Sequence, residues 1–149
     1  MPTGSPAGPL PADWTLPRLN KFNAGWFSSG AVRIQTCTSC DARQHPPEQI
    51  CHRCGSMTFG STDLGPGGTV HSYTVAHYAV NPALADSVPY AVVLVALDDD
   101  PDIRIIGNVL GVDPAEVHIG MKVTATWVEA GAPAPDGEGA VQLIQWVPA

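Results

Sequence analysis

The segments Cys37-Thr38-Ser39-Cys40 and Cys51-His52-Arg53-Cys54 decide the fold of this chain. Each is a Cys-x-x-Cys pair, and ten residues lie between the two pairs. One pair presents two thiolates from a tight turn, and two such turns facing each other form the tetrahedral four-sulfur shell of a metal site. The residue after each pair often needs positive φ, which Gly55 adopts freely and Asp41 tolerates. The predicted ligands of one metal ion are Cys37, Cys40, Cys51 and Cys54.

The four-cysteine shell favours a structural zinc ion, because zinc accepts four thiolates in tetrahedral geometry and a filled shell leaves no position for water. Iron in the same shell is an alternative, and it would make the chain a rubredoxin-like electron carrier. Disulfides or free redox thiols are the remaining alternatives, and disulfides are rare in the cytosol. His52 is either a substitute ligand or, as the filled shell favours, a surface side chain beside the second pair.

The charge balance of the chain bears on its partners. Fourteen Asp and Glu stand against seven Lys and Arg, for a formal charge of -7, and the basic residues are scattered from Arg18 to Lys122. Nucleic-acid affinity comes largely from clustered basic side chains that displace counterions. We therefore predict that nucleic acid is not a partner.

The sequence contains no pattern of a membrane span or a signal peptide. The longest apolar run, Tyr90–Leu97, is far too short to cross a bilayer. The N-terminus lacks a basic stretch followed by an apolar one. These observations predict a cytoplasmic protein that does not bind membranes.

The N-terminal region contains one helical pattern. Residues 1–12 carry four prolines and two glycines without apolar periodicity, which predicts a frayed leader. Within Arg18–Ser28, the side chains of Leu19, Phe22 and Trp26 fall at helical spacing, and Gly30 is a suitable stop. We predict a short amphipathic helix whose aromatic face packs either on its own barrel or on another subunit, because so short a helix draws its stability from packing.

Beyond the turn at Gly65–Gly68, the pattern is almost entirely that of β-strands. The predicted strands are Thr69–Ala79, Tyr90–Leu97, Ile103–Leu110, Met121–Val128 and Val141–Val147. A helical turn is predicted at Asp113-Pro114, between the third and fourth strands, because Asp can cap a turn and Pro suits its first position. This order of elements is that of the OB-fold barrel.

The alternation of side chains in the fourth strand supports a closed barrel. The residues that point to one side are Met121, Val123, Ala125 and Trp127, and the intervening residues are Lys122, Thr124 and Thr126. A loop over Gly131–Gly139, rich in Pro and Gly, is predicted to connect the last two strands. The predicted domains are the leader and helix at 1–30, the zinc ribbon at 31–64 and the OB-fold at 65–149.

The usual catalytic patterns are missing from the sequence. There is no Gly-x-Ser-x-Gly elbow, no His-Glu-x-x-His pair and no glycine-rich phosphate loop. The acidic run Asp98–Asp102 favours a solvated hairpin turn over a cation site. One face of the first long strand carries His71, Tyr73, Val75 and His77, either as an exposed barrel surface or as the lining of a ligand groove. We predict that the chain is not itself an enzyme.

Several short segments, taken in order, resemble one known family. They are Trp26-Phe27, the two cysteine pairs with Pro46-Pro47 between them, Gly67–Thr74, Pro89-Tyr90, Gly111–Pro114 and Ile119–Met121. This series covers nearly the whole chain from about residue 18 and is similar to the zinc-ribbon and OB-fold proteins associated with acyl-CoA metabolism. Asp41 stands where that family often has Gly. The fold expected is mostly β, with an N-terminal short helix, a rubredoxin-like zinc ribbon and then a five-stranded OB-fold barrel.

The resemblance also implies a function. Members of that family are accessory subunits of a thiolase, a hydroxymethylglutaryl-CoA synthase or a sterol-carrier-type thiolase acting as an aldolase. The implied partners of this chain are a thiolase-like or aldolase subunit and a MaoC-like hydratase of steroid side-chain degradation, in a hetero-oligomer. Besides zinc, the implied ligand is a CoA thioester shared with the partner.

Two sets of side chains are candidates for these roles. Candidate contacts to CoA phosphates, which are otherwise ordinary surface charges, are Arg33, Arg53, Arg104 and Lys122. Candidate contacts to a partner subunit are Leu19, Phe22, Trp26 and Phe27. A subunit that binds CoA far from its thioester helps to position the acyl group for the enzyme. The alternatives to this accessory role are an OB-fold nucleic-acid-binding protein and the iron-binding electron carrier.

Overall fold

The computed structural model describes residues 14–130 and 141–149, which form two antiparallel sheets and a few short helical segments. The elements in chain order are α1 (Ala24–Ser28), β1 (Val32–Cys37), β2 (Arg43–Gln44), β3 (Phe59–Leu64), β4 (Gly67–Ala76), a 3-10 helix (Pro82–Ser87), β5 (Tyr90–Leu97), β6 (Arg104–Asn108), a 3-10 helix (Pro114–Glu116), β7 (Lys122–Ala130) and β8 (Val141–Pro148). The predicted leader at 1–12 and the predicted loop at Gly131–Gly139 lie outside the described residues. The mostly β fold class is confirmed.

The first sheet has the order β2-β1-β3 and carries the cysteine pairs. Its outer strand β3 has no strong apolar pattern, and the sequence analysis did not predict it. β3 forms because it pairs with β1 over the full length of both strands, from Val32 opposite Leu64 to Cys37 opposite Phe59. A cross-strand contact of 2.8 Å between the hydroxyl oxygens of Thr36 and Thr62 reinforces this pairing.

The second sheet is the predicted five-stranded barrel, with the order β6-β5-β4-β7-β8. β5 has the predicted ends, and the other strands differ from the prediction by up to three residues at an end. A parallel bridge between Val109 and Trp146 joins the two ends of the sheet. The predicted alternation in β7 is confirmed, since Val123 and Ala125 are buried while Lys122 is exposed. These features are those of an OB-fold barrel.

The predicted helical turn before β7 is also confirmed. It is the 3-10 helix Pro114–Glu116, and the side chain of Asp113 caps it by accepting a hydrogen bond of 2.9 Å from the Ala115 N–H. Asp therefore satisfies a backbone donor at the start of the turn, as residues of this type do at helix N-termini.

The ribbon and the barrel share one hydrophobic core. Val32 and Ile34 of β1 belong to the same cluster of buried side chains as Trp146 of β8, which is fully buried. Within the barrel, close packing of β4 on β5 makes Gly68 necessary, because a Cβ atom there would overlap a methyl group of Val95. The ribbon is therefore packed against the barrel and does not form a separate folding unit.

The acidic turn Asp98–Asp102 connects β5 and β6, as predicted, but its carboxylates make protein contacts. Asp98 pairs with Lys122 at 2.9 Å, and Asp99 accepts a hydrogen bond of 2.7 Å from the Gly65 N–H. Asp100 pairs with Arg43 of β2 at 3.0 Å. These contacts connect the barrel to the edge of the ribbon and to the segment between the two sheets.

The helix predicted over Arg18–Ser28 is shorter than expected. The Asn20 side chain accepts hydrogen bonds from the N–H groups of Phe22 and Asn23, and Asn23 donates through its side chain to the Arg18 carbonyl. Asparagine side chains that bond to nearby backbone groups compete with the helix and favour turns. The helix α1 therefore begins at Ala24. No helix in the described part of the chain is long and apolar enough to cross a membrane.

The packing at Gly68 can be tested by adding a methyl group. Because the new Cβ atom would overlap Val95, Gly68→Ala is expected to lower the free energy of unfolding by about 1–3 kcal/mol. Gly60→Ala in β3 is the matched control, since the contact nearest to its Cβ atom is at 3.8 Å, and a change within about 0.5 kcal/mol is expected. Urea denaturation measures both values. Equal stability of the two variants would contradict the close packing of β4 on β5 at Gly68.

Candidate metal centre and adjoining surfaces

Two turns of the same shape hold the cysteine pairs. In the first, the Asp41 N–H donates to the Cys37 carbonyl at 3.0 Å, and in the second the Gly55 N–H donates to the Cys51 carbonyl at 3.0 Å. Asp41 and Gly55 have positive φ, at 59° and 75°, as the sequence predicts for the residue after each pair. β1 ends at Cys37, so the sheet itself fixes the position of the first turn.

The four sulfur atoms are brought together. All four lie within 4.8 Å of one another, with 3.6 Å between the Sγ atoms of Cys37 and Cys54 and 3.7 Å between those of Cys40 and Cys51. A tetrahedral zinc ion with Zn–S bonds of about 2.3 Å requires S–S distances of about 3.8 Å, whereas a disulfide requires about 2.05 Å. The cysteines are therefore unbridged and are positioned to bind a metal ion.

The two cysteines of the first pair differ in the pKa of their thiols. Burial raises the pKa of the Cys37 thiol, but the N–H groups of Ser39 and Cys40 and the neighbouring thiols outweigh this and bring the pKa to about 6. The Ala42 N–H lowers the pKa of the Cys40 thiol, but burial and the other three cysteines raise it to about 12. Four thiolates this close would repel one another, and a cation bound among them would favour their deprotonated forms.

A buried pair of glutamines supports the loop that carries the second cysteine pair. The Gln44 side chain donates to Oε1 of Gln35 at 2.8 Å, and Gln35 in turn donates to the Glu48 carbonyl at 2.7 Å. Gln44 Oε1 also accepts from the His52 N–H at 3.0 Å and lies 2.9 Å from the His52 ring nitrogen Nδ1. His52 is thus an exposed side chain bonded to Gln44, and it is not part of the metal-binding group formed by the described residues. Sequence reasoning missed both glutamines, because Gln is not an expected ligand.

A groove lies on the face of the ribbon sheet that points away from the barrel. We call it the aromatic groove; it encloses about 420 Å³. Its lining residues are Lys21, Phe22, Gly25, Trp26, Arg33, Gln35, Pro47, Met57, Phe59, Gly60 and Ser61. A second groove of about 840 Å³, here called the ribbon–barrel groove, lies on the opposite face of the sheet and contains Arg53, Ile50 and the acidic turn residues Asp100 and Asp102.

The four candidate partner contacts have different surroundings. Trp26 is 8% exposed and packs against the chain's own core, with its ring centroid 4.4 Å from that of His45. Phe27 also packs against that core. Phe22 lines the aromatic groove and, like Leu19, is half-buried. Burial lowers the pKa of His45 to about 4, so this ring, which sequence reasoning did not single out, is neutral where it meets Trp26.

The four candidate CoA contacts are not gathered in one place. Arg33 forms a two-pronged pair with Asp63, at 2.8 and 2.9 Å, and Lys122 pairs with Asp98. Within the described residues, Arg53 and Arg104 form no ion pair. Arg33 lines the aromatic groove and Arg53 the ribbon–barrel groove.

The shared face predicted for His71, Tyr73, Val75 and His77 holds within β4 only for Tyr73 and Val75. A bulge between Val70 and Ser72 changes the register of β4 against β5. One extra residue exchanges the two faces of a strand. Tyr73 therefore pairs with the buried Val93, while His71 lies in the bulge and His77 follows the end of β4.

Comparison with known proteins adds family relationships to this geometry. Residues 28–59 match the family described as "ChsH2, rubredoxin-like zinc ribbon domain", and residues 61–128 match "ChsH2, C-terminal OB-fold domain". A chain of the solved structure "Ltp2-ChsH2(DUF35) aldolase" superposes with a TM-score of 0.71 at 34% identity, over 89% of this chain and 98% of that chain.

Three curated proteins are similar in sequence. The "probable enoyl-CoA hydratase alpha subunit" of Thermomonospora curvata is 38% identical over 117 residues, or 76% of this chain and 35% of that protein. The "3-oxo-4,17-pregnadiene-20-carboxyl-CoA hydratase alpha subunit" of Mycobacterium tuberculosis is 30% identical over 86% of this chain and 42% of that protein. A "DUF35 domain-containing scaffold protein" of Methanocaldococcus jannaschii is 29% identical over 68% of this chain and 70% of that protein.

This chain thus spans well under half of each hydratase subunit but nearly all of the matched aldolase chain. The family expected from the sequence segments is the one that these matches identify. The chain belongs to the DUF35 family that includes ChsH2, in which a rubredoxin-like zinc ribbon precedes an OB-fold domain.

Proposed function

We propose that this chain is a non-catalytic accessory subunit that docks on a thiolase-superfamily enzyme and helps to bind or position its acyl-CoA substrate. The observation that carries the proposal is its likeness to a chain of the Ltp2-ChsH2(DUF35) aldolase, 98% of which it covers. The name of that aldolase joins ChsH2 to a second protein, Ltp2. The related protein of Methanocaldococcus jannaschii is named a scaffold, which also supports a role in assembly.

The chemistry of the metal centre supports the absence of catalysis in this chain. Four sulfur ligands complete a tetrahedral shell, and catalytic zinc sites keep one position for water or substrate. The relatives named as hydratase subunits are more than twice as long as the segments that match this chain. Their activity therefore does not carry over with the matched part.

The metal that we propose is zinc, held by Cys37, Cys40, Cys51 and Cys54. Its chemistry when bound is structural: it neutralises the thiolates and crosslinks the two turns. Cys37 places the first turn at the end of β1, and the N–H groups of Ser39 and Arg53 lie 3.4 Å from the sulfurs of Cys37 and Cys51. Such N–H donors stabilise a thiolate.

The proposed partner is a sterol-carrier-type thiolase acting as an aldolase, in a cytoplasmic hetero-oligomer. The name of the Ltp2-ChsH2 aldolase supports the aldolase, and the name of the Mycobacterium tuberculosis relative, which acts on a pregnadiene-carboxyl-CoA, supports a steroid side chain as the acyl group. A MaoC-like hydratase is the second partner that we propose, and the two relatives named hydratase subunits support it.

For the CoA itself, Arg53 and Arg104 are the better candidates of the four cations. Neither forms an ion pair within the described residues, whereas Asp63 and Asp98 already engage Arg33 and Lys122. A phosphate binds most easily to a cation that has no carboxylate to displace. Because the chain is acidic overall, its contact with CoA is local, and the enzyme contributes the rest.

The first prediction concerns the metal. The purified chain is expected to contain one zinc ion, and Cys37→Ser or Cys51→Ser is expected to lose that zinc and the near-UV circular dichroism of the ribbon, because apparent zinc-binding free energies of about 10–16 kcal/mol are also folding free energies. His52→Ala is the matched control and should keep the zinc, since His52 bonds to Gln44. Elemental analysis measures the metal. A folded metal-free chain, or a coloured chain with iron, would contradict the proposal.

The second prediction concerns assembly. Co-expression with the thiolase-superfamily enzyme encoded in the same genomic neighbourhood is expected to yield one hetero-oligomer, because a subunit that positions acyl-CoA must remain bound through turnover. Size exclusion with light scattering measures the mass, and each protein run alone is the control. Separate elution of the two proteins at micromolar concentration would count decisively against the accessory role.

A further inference from the structure

We propose that the aromatic groove is where the partner subunit docks, and that it takes a polypeptide segment carrying an apolar side chain next to a carboxylate. This inference rests on the proposed function, which supplies a protein partner, and it names the surface and the chemistry of the contact. The groove lies beside the metal centre, and its floor includes the buried side chains of Trp26 and Gln35.

The shape and lining of the groove suit an apolar side chain. Its volume of about 420 Å³ lies within the roughly 300–1,000 Å³ range of ligand-binding clefts. Phe22 and Phe59 line its walls, and Met57 at its rim is 61% exposed. Methionine adapts its shape to an incoming side chain, and exposed apolar residues that line a concavity mark interaction sites.

The charges that line the groove favour a partner segment in which an acidic residue adjoins the apolar side chain. The charged residues of its lining are Lys21 and Arg33, and the lining contains no Asp or Glu, in a chain with a formal charge of -7. Asp63 engages Arg33, whereas Lys21 forms no ion pair within the described residues and lies over the Phe22 ring at 4.9 Å. The ribbon–barrel groove, by contrast, contains Asp100 and Asp102. Of the two grooves, the aromatic groove is thus the one that favours an anionic segment.

The edge of the ribbon sheet favours a polypeptide over a small anion. In the order β2-β1-β3, the outer edge of β3 pairs with no other strand of the described chain, and Phe59, Gly60 and Ser61 of β3 line the groove. An unpaired edge offers backbone N–H and C=O groups to an extended segment, while adjoining pockets select its side chains.

The metal centre holds one wall of this groove in place. Phe59 packs against the cluster formed by Cys37, Ala42 and Cys51, and it also lines the groove. Met57 lies between the second cysteine pair and β3. Fixing the positions of the four sulfur atoms therefore also fixes the position of Phe59 in the docking surface.

The experiment measures the affinity of the purified thiolase-superfamily partner for variants of the full chain by biolayer interferometry. Met57→Glu is expected to weaken binding about 30-fold or more, because truncated or charged hot-spot contacts cost upwards of about 2 kcal/mol. Lys21→Glu is expected to weaken it about 5- to 10-fold, with a smaller loss at high salt, and Lys21→Arg is expected to bind like the unaltered chain.

Ile50→Glu is the matched control. Ile50 is 56% exposed, adjoins the same cysteine pair, and lines the ribbon–barrel groove on the opposite face. Its variant should bind within about 2-fold of the unaltered chain, since surface changes away from a contact have small effects. Equal zinc content and equal melting temperature establish that all variants are folded.

The outcomes separate the docking surface from the function. If Met57→Glu binds as well as the unaltered chain, the aromatic groove is not the docking site, although the accessory role stands. If Ile50→Glu alone weakens binding, the partner occupies the opposite face. If the unaltered chain does not bind the partner at all, both the proposed function and this assignment are overturned.

Discussion

The gathering of four sulfur atoms within 4.8 Å of one another is the constraint on which the rest of this molecule depends. Neutral thiols gain little from such an arrangement, and thiolates repel one another, so a bound metal cation would make it favourable. The two turns are joined to β1 at Cys37 and to β3 through the loop that ends at Phe59. A metal ion bound by the four sulfurs would therefore crosslink the two turns that flank this small three-stranded sheet.

That small sheet becomes part of a larger body through two kinds of contact. Val32 and Ile34 place one face of the sheet in the core that also holds Trp146 of the barrel. The pair between Arg43 and Asp100 then fixes the edge of the sheet, although an exposed ion pair of this kind contributes only about 0–1 kcal/mol. Burial of apolar side chains therefore supplies the stability of the contact between the ribbon sheet and the barrel. The acidic turn helps to orient the ribbon sheet on the barrel. In the described part of the chain, the opposite face of the sheet contributes to the aromatic groove.

Much of this arrangement follows from local patterns in the sequence. The spacing of the cysteines predicts the four ligands, and turn residues and alternation predict the five barrel strands, because these depend on neighbours in sequence. β3 was not predicted, because only its pairing with β1 stabilises it. The predicted α1 was too long, because the Asn20 side chain stabilises a turn that competes with the helix. The bulge in β4 separates His71 from the face that Tyr73 and Val75 share. The glutamine pair and the aromatic groove are likewise tertiary features.

Metal binding is expected to be a condition for assembly, since the sulfur cluster supports the surface proposed to meet the partner. The most direct measurement compares the dissociation constant of the partner complex for the zinc-loaded chain with that for the chain after removal of zinc by a chelator, before and after zinc is restored. A loss of affinity of about 100-fold or more on removal, reversed on restoration, is predicted from the folding energy that the metal supplies. Unchanged affinity of the zinc-free chain would contradict the account.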